Sequence, residues 1–216
     1  MNKYSCGLIH FAVGLFVLFN SNVEFLFSQT DKLLSNDTLI IQKKALPEAL
    51  PEKEIIIEFE NSKLATANTR KIFNELFGQY ISIKDALVYN DQYNASRNTI
   101  KLLDDMKAKA KNSPELNKDE RWLVFLKNYD NIKSKVESAN FISEQRFIFS
   151  EITNGLRSFI KQYGLYDKTI YLMQCRSDRQ PENANWFSDT KDNKNPYLGL
   201  LNDTACAHVL ETWIFK

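Results

Sequence analysis

Glycine, histidine and any surplus of one charge are what this chain lacks. Six glycines among 216 residues leave little material for loops that wrap phosphates. No Walker loop, dinucleotide fingerprint, nucleophile elbow or zinc-protease helix is present. Only two histidines occur, His10 and His208. His10 falls in a segment read below as removed on export, so a Ser-His-Asp or Cys-His arrangement is left with His208 alone. Cys206 stands too close to His208 in sequence for a usual nucleophile and base pair. A non-catalytic protein is expected. The 28 basic and 27 acidic residues nearly cancel and are scattered along the chain. Nucleic-acid binding wants a clustered basic face, so no nucleic-acid partner is expected. Asp178, Asp189, Asp192 and Asp203 do not follow calcium-loop spacing and read as solvated turn formers.

One long apolar run is present, Leu8 to Phe19, behind the positive charge of Lys3. It is shorter than the ~20 residues that span a bilayer, which favours a cleaved secretory signal over residues 1–29. An uncleaved anchor built from this run and the apolar patch Val23 to Phe27 is the competing reading. Only in that case is membrane contact expected. Either way the body is exported, to the periplasm or cell surface, where disulfides are permitted. Residues 30–68 read as a linker or extended arm, with Pro47 and Pro51 among charges and Ile55 to Glu60 as a short strand or an arm laid along the body.

Residues 69–216 read as a helical-bundle domain with a C-terminal cap. Ile72, Leu76, Tyr80, Ile83 and Leu87 step by three and four, which lines them along one helix face. Asn90-Asp91 offers a stop and a new N-cap. The next helix, about 91–111, shows Tyr93, Ile100, Leu103 and Met106, and ends at Asn112-Ser113-Pro114. Asn117 and Glu120 suggest a capping box ahead of a third helix with Trp122, Phe125, Tyr129, Ile132 and Val136. A fourth carries Phe149, Ile152, Leu156, Phe159 and Tyr163, with Gly164 as its stop. The expected fold class is all-α, an up-down four-helix bundle with a loop-rich C-terminal extension in which short strands such as Thr169 to Cys175 are candidates. That extension is rich in turn residues and needs a fastener: Trp186, Tyr197 and Trp213 by packing, or a link between Cys175 and Cys206.

These residues carry a resemblance. Cys175, then Trp186-Phe187-Ser188, then Asn195-Pro196-Tyr197-Leu198-Gly199, then Cys206 resemble the domain-of-unknown-function 3347 family in order and spacing. Tyr80 to Asp91 and Gln145-Arg146 with Phe149 resemble its first and last helices, so the likeness runs from about Thr69 to Trp213. The family consists of exported bacterial helical modules, found alone or fused to periplasmic adaptors of heavy-metal efflux systems. The resemblance implies a metal-handling role with copper as candidate cofactor, and a periplasmic efflux or envelope protein as partner. This chain departs from the family pattern: both methionines near its cysteines are missing, and so is the glycine after the second.

Two site readings therefore stand side by side. In the first, Cys175 and Cys206 are soft ligands completed by His208 or Met173, since thiolate and thioether donors suit monovalent copper. In a strand, Met173 and Cys175 would share a face. In the second, Cys175 and Cys206 form a disulfide that closes the loop-rich segment, stabilising the fold by roughly 3–4 kcal/mol, and the module binds protein with no metal. A labile thiol–disulfide pair is the third. A disulfide sulfur is not a thiolate ligand, so the first two exclude each other at any instant.

Overall fold

A computed structural model describes residues 53–110, 113–175, 184–192, 194–199 and 207–216. The candidate signal and anchor segments and Cys206 lie outside the described residues. Among the described residues no helix is long and apolar enough to cross a membrane.

Among the described residues four helices form the bulk: α1 Ala67–Val88, α2 Gln92–Ala110, α3 Glu120–Ser138 and α4 Ile142–Tyr163. The joins between α1 and α2 and between α3 and α4 are three residues long, so each pair doubles back on itself. Helix α1 is the central one. The anticipated stripe Ile72, Leu76, Tyr80, Ile83 and Leu87 is buried, and so are Phe73, Phe77 and Val88. Such wide burial lets α1 pack on α2, on α4 and on the sheet below.

Helix termini follow local chemistry. Thr66 caps α1, its hydroxyl accepting from the Thr69 amide at 3.4 Å, so the helix starts earlier than the apolar stripe. Asn90 takes φ 56° and Asp91 accepts from the Asn94 amide at 3.0 Å, the stop and new cap anticipated there. Gly164 closes α4 at φ 77°, its amide donating to Ile160 O. The third cap is a correction. Asn117 sits inside a 3-10 turn, Leu116–Lys118, and Asp119 caps α3 by accepting from the Arg121 and Trp122 amides. Its carboxylate also takes the Tyr163 hydroxyl at 2.5 Å and Gln162 at 2.9 Å from the far end of α4. Helix α2 departs as well. Tyr93 is 73% exposed, while Ala95, Thr99 and Leu102 join Leu103 and Met106 inside.

Burial of Asp119 pushes its pKa up, but the bonds from Tyr163, Trp122, Gln162 and Arg121 outweigh it, and the net pKa lies below 3.8. A carboxyl depressed in the folded state contributes stability above its unfolded pKa and loses it as pH falls through the folded value. Asp119→Ala is therefore expected to lower stability by about 1–2 kcal/mol at neutral pH. The gap to wild type should close progressively below about pH 4. Urea midpoints at neutral and acid pH measure both; a pH-independent gap would contradict the assignment.

The chain is not purely helical. Among the described residues four strands form one mixed sheet of order β1-β4-β2-β3: β1 Ile55–Phe59, β2 Lys168–Cys175, β3 Asn185–Ser188 and β4 Ala207–Phe215. β1 runs parallel to β4, and β2 runs antiparallel to both β4 and β3. Residues 55–59 thus resolve as a strand, pairing from one end of the described chain to the other. Directly paired residues share a face of the sheet. Ile170 pairs with Trp213, and Leu172 with Phe187. This face meets the bundle where Phe187 packs on Phe77 at 6.3 Å and Tyr80 at 6.2 Å. Phe187 also meets Trp213 at 5.2 Å, and Trp213 meets Phe59 at 5.5 Å. Trp122, Trp186 and Trp213 are all fully buried.

Candidate functional site

The residues singled out in the sequence fall into two places. The first is the end of the β2–β4 pair. Met173 pairs with Val209, Gln174 with His208 and Cys175 with Ala207. Side chains alternate along a strand, so Met173 and Cys175 do share one face, as the spacing suggested. His208 shares the opposite face with Gln174. The register therefore puts His208 on the face opposite Met173 and Cys175. Met173 and Cys175 are 1% and 4% exposed, and Cys175 is engaged rather than free. Among the described residues no group of three or more His, Cys, Asp or Glu converges as a metal site.

The second place is a joint between bundle and sheet, where the Trp, Asn-Pro-Tyr and Gly positions gather. Asn195 makes a local turn, its side-chain oxygen accepting from the Tyr197 amide at 2.8 Å and its carbonyl from the Gly199 amide at 3.0 Å. Pro196 presents its carbonyl to Arg146 Nε at 2.8 Å. Arg146, on α4, also donates to Asn90 Oδ1 at 2.6 Å and to Leu87 O at 3.3 Å. One guanidinium thus ties the Asn-Pro-Tyr loop, the α1–α2 turn and α4 together. All three acceptors are neutral, and burial alone lowers the pKa of Arg146. Gly199 closes the turn at φ 73°, and a Cβ there would meet Asn90 Oδ1 at 2.8 Å and Arg146 Nη2 at 3.2 Å. The requirement for glycine is both conformational and steric.

Tyr197 reaches from this turn to β3. Its hydroxyl donates to Asn185 O at 3.0 Å and its ring packs edge-on to Trp186 at 6.2 Å. Burial pushes the Tyr197 phenol up to about 12, so it remains a protonated donor across physiological pH. The fully buried Tyr80 hydroxyl lies 2.8 Å from Thr153 Oγ1 on α4 and accepts the Phe187 amide of β3 at 3.1 Å. Burial and the neighbouring Tyr197 raise its pKa well above 10. Lys84, 2% exposed, donates to Ser188 Oγ at 3.4 Å and faces Asp85 at 3.3 Å.

These contacts show what the motif does: it fastens α1, α4 and the α1–α2 turn to the sheet edge. Trp186, Asn195, Pro196, Tyr197 and Gly199 are positioned as structural residues. Sequence reasoning placed Tyr80 on the apolar stripe of the first helix and Asn90 at its stop, but gave none of Tyr80, Lys84, Asn90 and Arg146 a part in this joint. The signal that could have found them was present, since each lies in the helical stretches that carried the resemblance.

Residues 76–168 match the model of a family described as protein of unknown function (DUF3347). The match spans less than half of the chain and covers most of the bundle; β3, β4 and the Asn-Pro-Tyr turn follow it. No curated protein and no solved structure matches the chain.

Proposed function

Starting from a bundle that carries the DUF3347 match over residues 76–168, we propose that this chain is an exported, non-catalytic interaction module of a bacterial envelope system. Its C-terminal sheet is stapled by a disulfide between Cys175 and Cys206, and its partner is a periplasmic efflux or envelope protein. The observation that carries the staple is that Cys175, the last residue of β2, is already engaged. Ala207, the residue next to Cys206 in sequence, lies across from it in the β2–β4 pair. The apolar run Leu8 to Phe19 supports export.

Copper or another soft metal is the second reading, favoured by one observation. Met173 and Cys175 share a face and are soft donors, with Cys206 to complete the set.

Alkylation of the exported, unreduced mature protein under denaturing conditions, read by intact mass, separates the two. With Cys6 removed along with the signal, only Cys175 and Cys206 can react. No labels before reduction and two after it are expected. Two labels before reduction would overturn the staple. Titration with monovalent copper would follow, with one equivalent bound by wild type and none by Cys175→Ser as the signature of the metal site.

A further inference from the structure

At the turn joining α3 to α4 the surface opens into a shallow groove of about 380 Å³. Its apolar lining is Ala139, Ile148 and Phe147, and its rim carries Lys135, Ser138, Ser143 and Glu144. Phe147 is 59% exposed, and Phe141, in the same turn, is 67% exposed. Covering a large apolar side chain left in solvent beside a groove removes apolar surface from water and so favours a protein contact there.

The polar groups around the groove are almost all committed elsewhere. Glu144 accepts from the Asn140 and Phe141 amides at 2.7 and 2.9 Å, so its charge compensates the start of its own helix. Ser138 donates to Lys135 O, Asn140 donates to Ser138 O, and Ala139 O accepts from Gln92. Lys135 makes no ion pair among the described residues. The groove therefore presents an apolar floor, the exposed Phe147 ring and one cation, Lys135, that makes no ion pair among the described residues.

We infer that this groove docks an acidic amphipathic segment of a partner protein, with apolar side chains against Phe147 and Ile148 and a carboxylate on Lys135. The inference rests on the interaction-module reading and names the face that the module uses. It is independent of the cysteines. A peptide with nothing but apolar groups would leave the ammonium desolvated and unpaired, and a basic one would repel it. A carboxylate on an otherwise apolar face satisfies both requirements.

The test uses the full mature chain and two fluorescein-labelled helical peptides with the same leucine and phenylalanine face, one carrying glutamate on its other face and one lysine. Fluorescence anisotropy should show saturable binding of the glutamate peptide and little of the lysine peptide. Phe147→Ser should weaken binding about tenfold or more. Lys135→Glu should weaken it and shift preference toward the lysine peptide. Both residues are exposed, so unchanged melting curves should accompany these losses and exclude unfolding. Equal binding of both peptides, or no binding of either, would overturn the inference. So would a wild-type dimer in sedimentation that Phe147→Ser dissociates, which would make a second copy the occupant. Association with anionic lipid vesicles that depends on Phe147 would reassign the face to a membrane. The thiol count of the staple experiment is unaffected by these variants, so failure here leaves that reading standing.

Discussion

Trp213→Ala is expected to lower the stability of the chain by roughly 3–5 kcal/mol, the range for emptying a buried aromatic site. Trp213 is fully buried in β4, with Phe59 of β1, Phe187 of β3 and Phe215 around its ring. Against a total of about 5–15 kcal/mol for an ordinary domain, such a loss would leave a substantial unfolded fraction. Because Phe187 also packs on Phe77 and Tyr80 of α1, the sheet and bundle should unfold together. The expected result is a single urea transition at a lower midpoint, with helical and tryptophan signals moving in step. Tyr93→Ala, at a position 73% exposed, is the control and should stay within about 0.5 kcal/mol of wild type. A helical signal that persists after tryptophan fluorescence has changed would mean that the bundle stands without its sheet.

What the sequence disclosed and what it withheld divide along the range of the interactions. The helices were legible because their periodicity and caps are local: Ile72 to Leu87 on one stripe, Asp91 starting α2, Gly164 ending α4. The sheet was only half legible. Thr169 to Cys175 reads as a strand, whereas β3 is four residues long and β4 exists through pairing with β1 and β2, which arrive from distant parts of the chain. The same distance explains the Asn117 expectation. Asn117 fits a local cap, but Asp119 prevails because Tyr163 and Gln162 also converge on its carboxylate. Tyr93 misled for a different reason: an aromatic at helical spacing signals burial only if another element packs on it. At the site, a shared face for Met173 and Cys175 followed from strand geometry alone. The position of His208 did not, because it depends on the register of β4 against β2. Arg146 was the hardest to read, since an arginine bonded only to neutral acceptors leaves no matching acid in the sequence.

That arginine supports the second large prediction. Arg146→Met removes the donors that Pro196 O, Leu87 O and Asn90 Oδ1 share. A buried acceptor left unpaired is destabilising by about 1–3 kcal/mol. Arg146 is only partly buried, so water reaches some of these groups and the expected total is about 2–4 kcal/mol. Arg146→Lys should recover little of it, because a point-charge ammonium cannot serve three acceptors held in a planar fork. Gly199→Ala strikes the same joint from the loop side. A left-handed φ of 73° is unfavourable for alanine by about 1–2 kcal/mol, and the added Cβ presses on Asn90 Oδ1. If one joint holds the loop, the double variant should lose less than the sum of the singles, since the second change acts on contacts already broken. Hydrogen exchange at the Gly199 amide, which donates to Asn195 O, gives the local readout. It should quicken in both single variants while amides in the middle of α1 slow or quicken only with global stability. Strict additivity, with the Gly199 amide unchanged in Arg146→Met, would show that the turn holds its shape without the arginine and that the joint is two separate contacts.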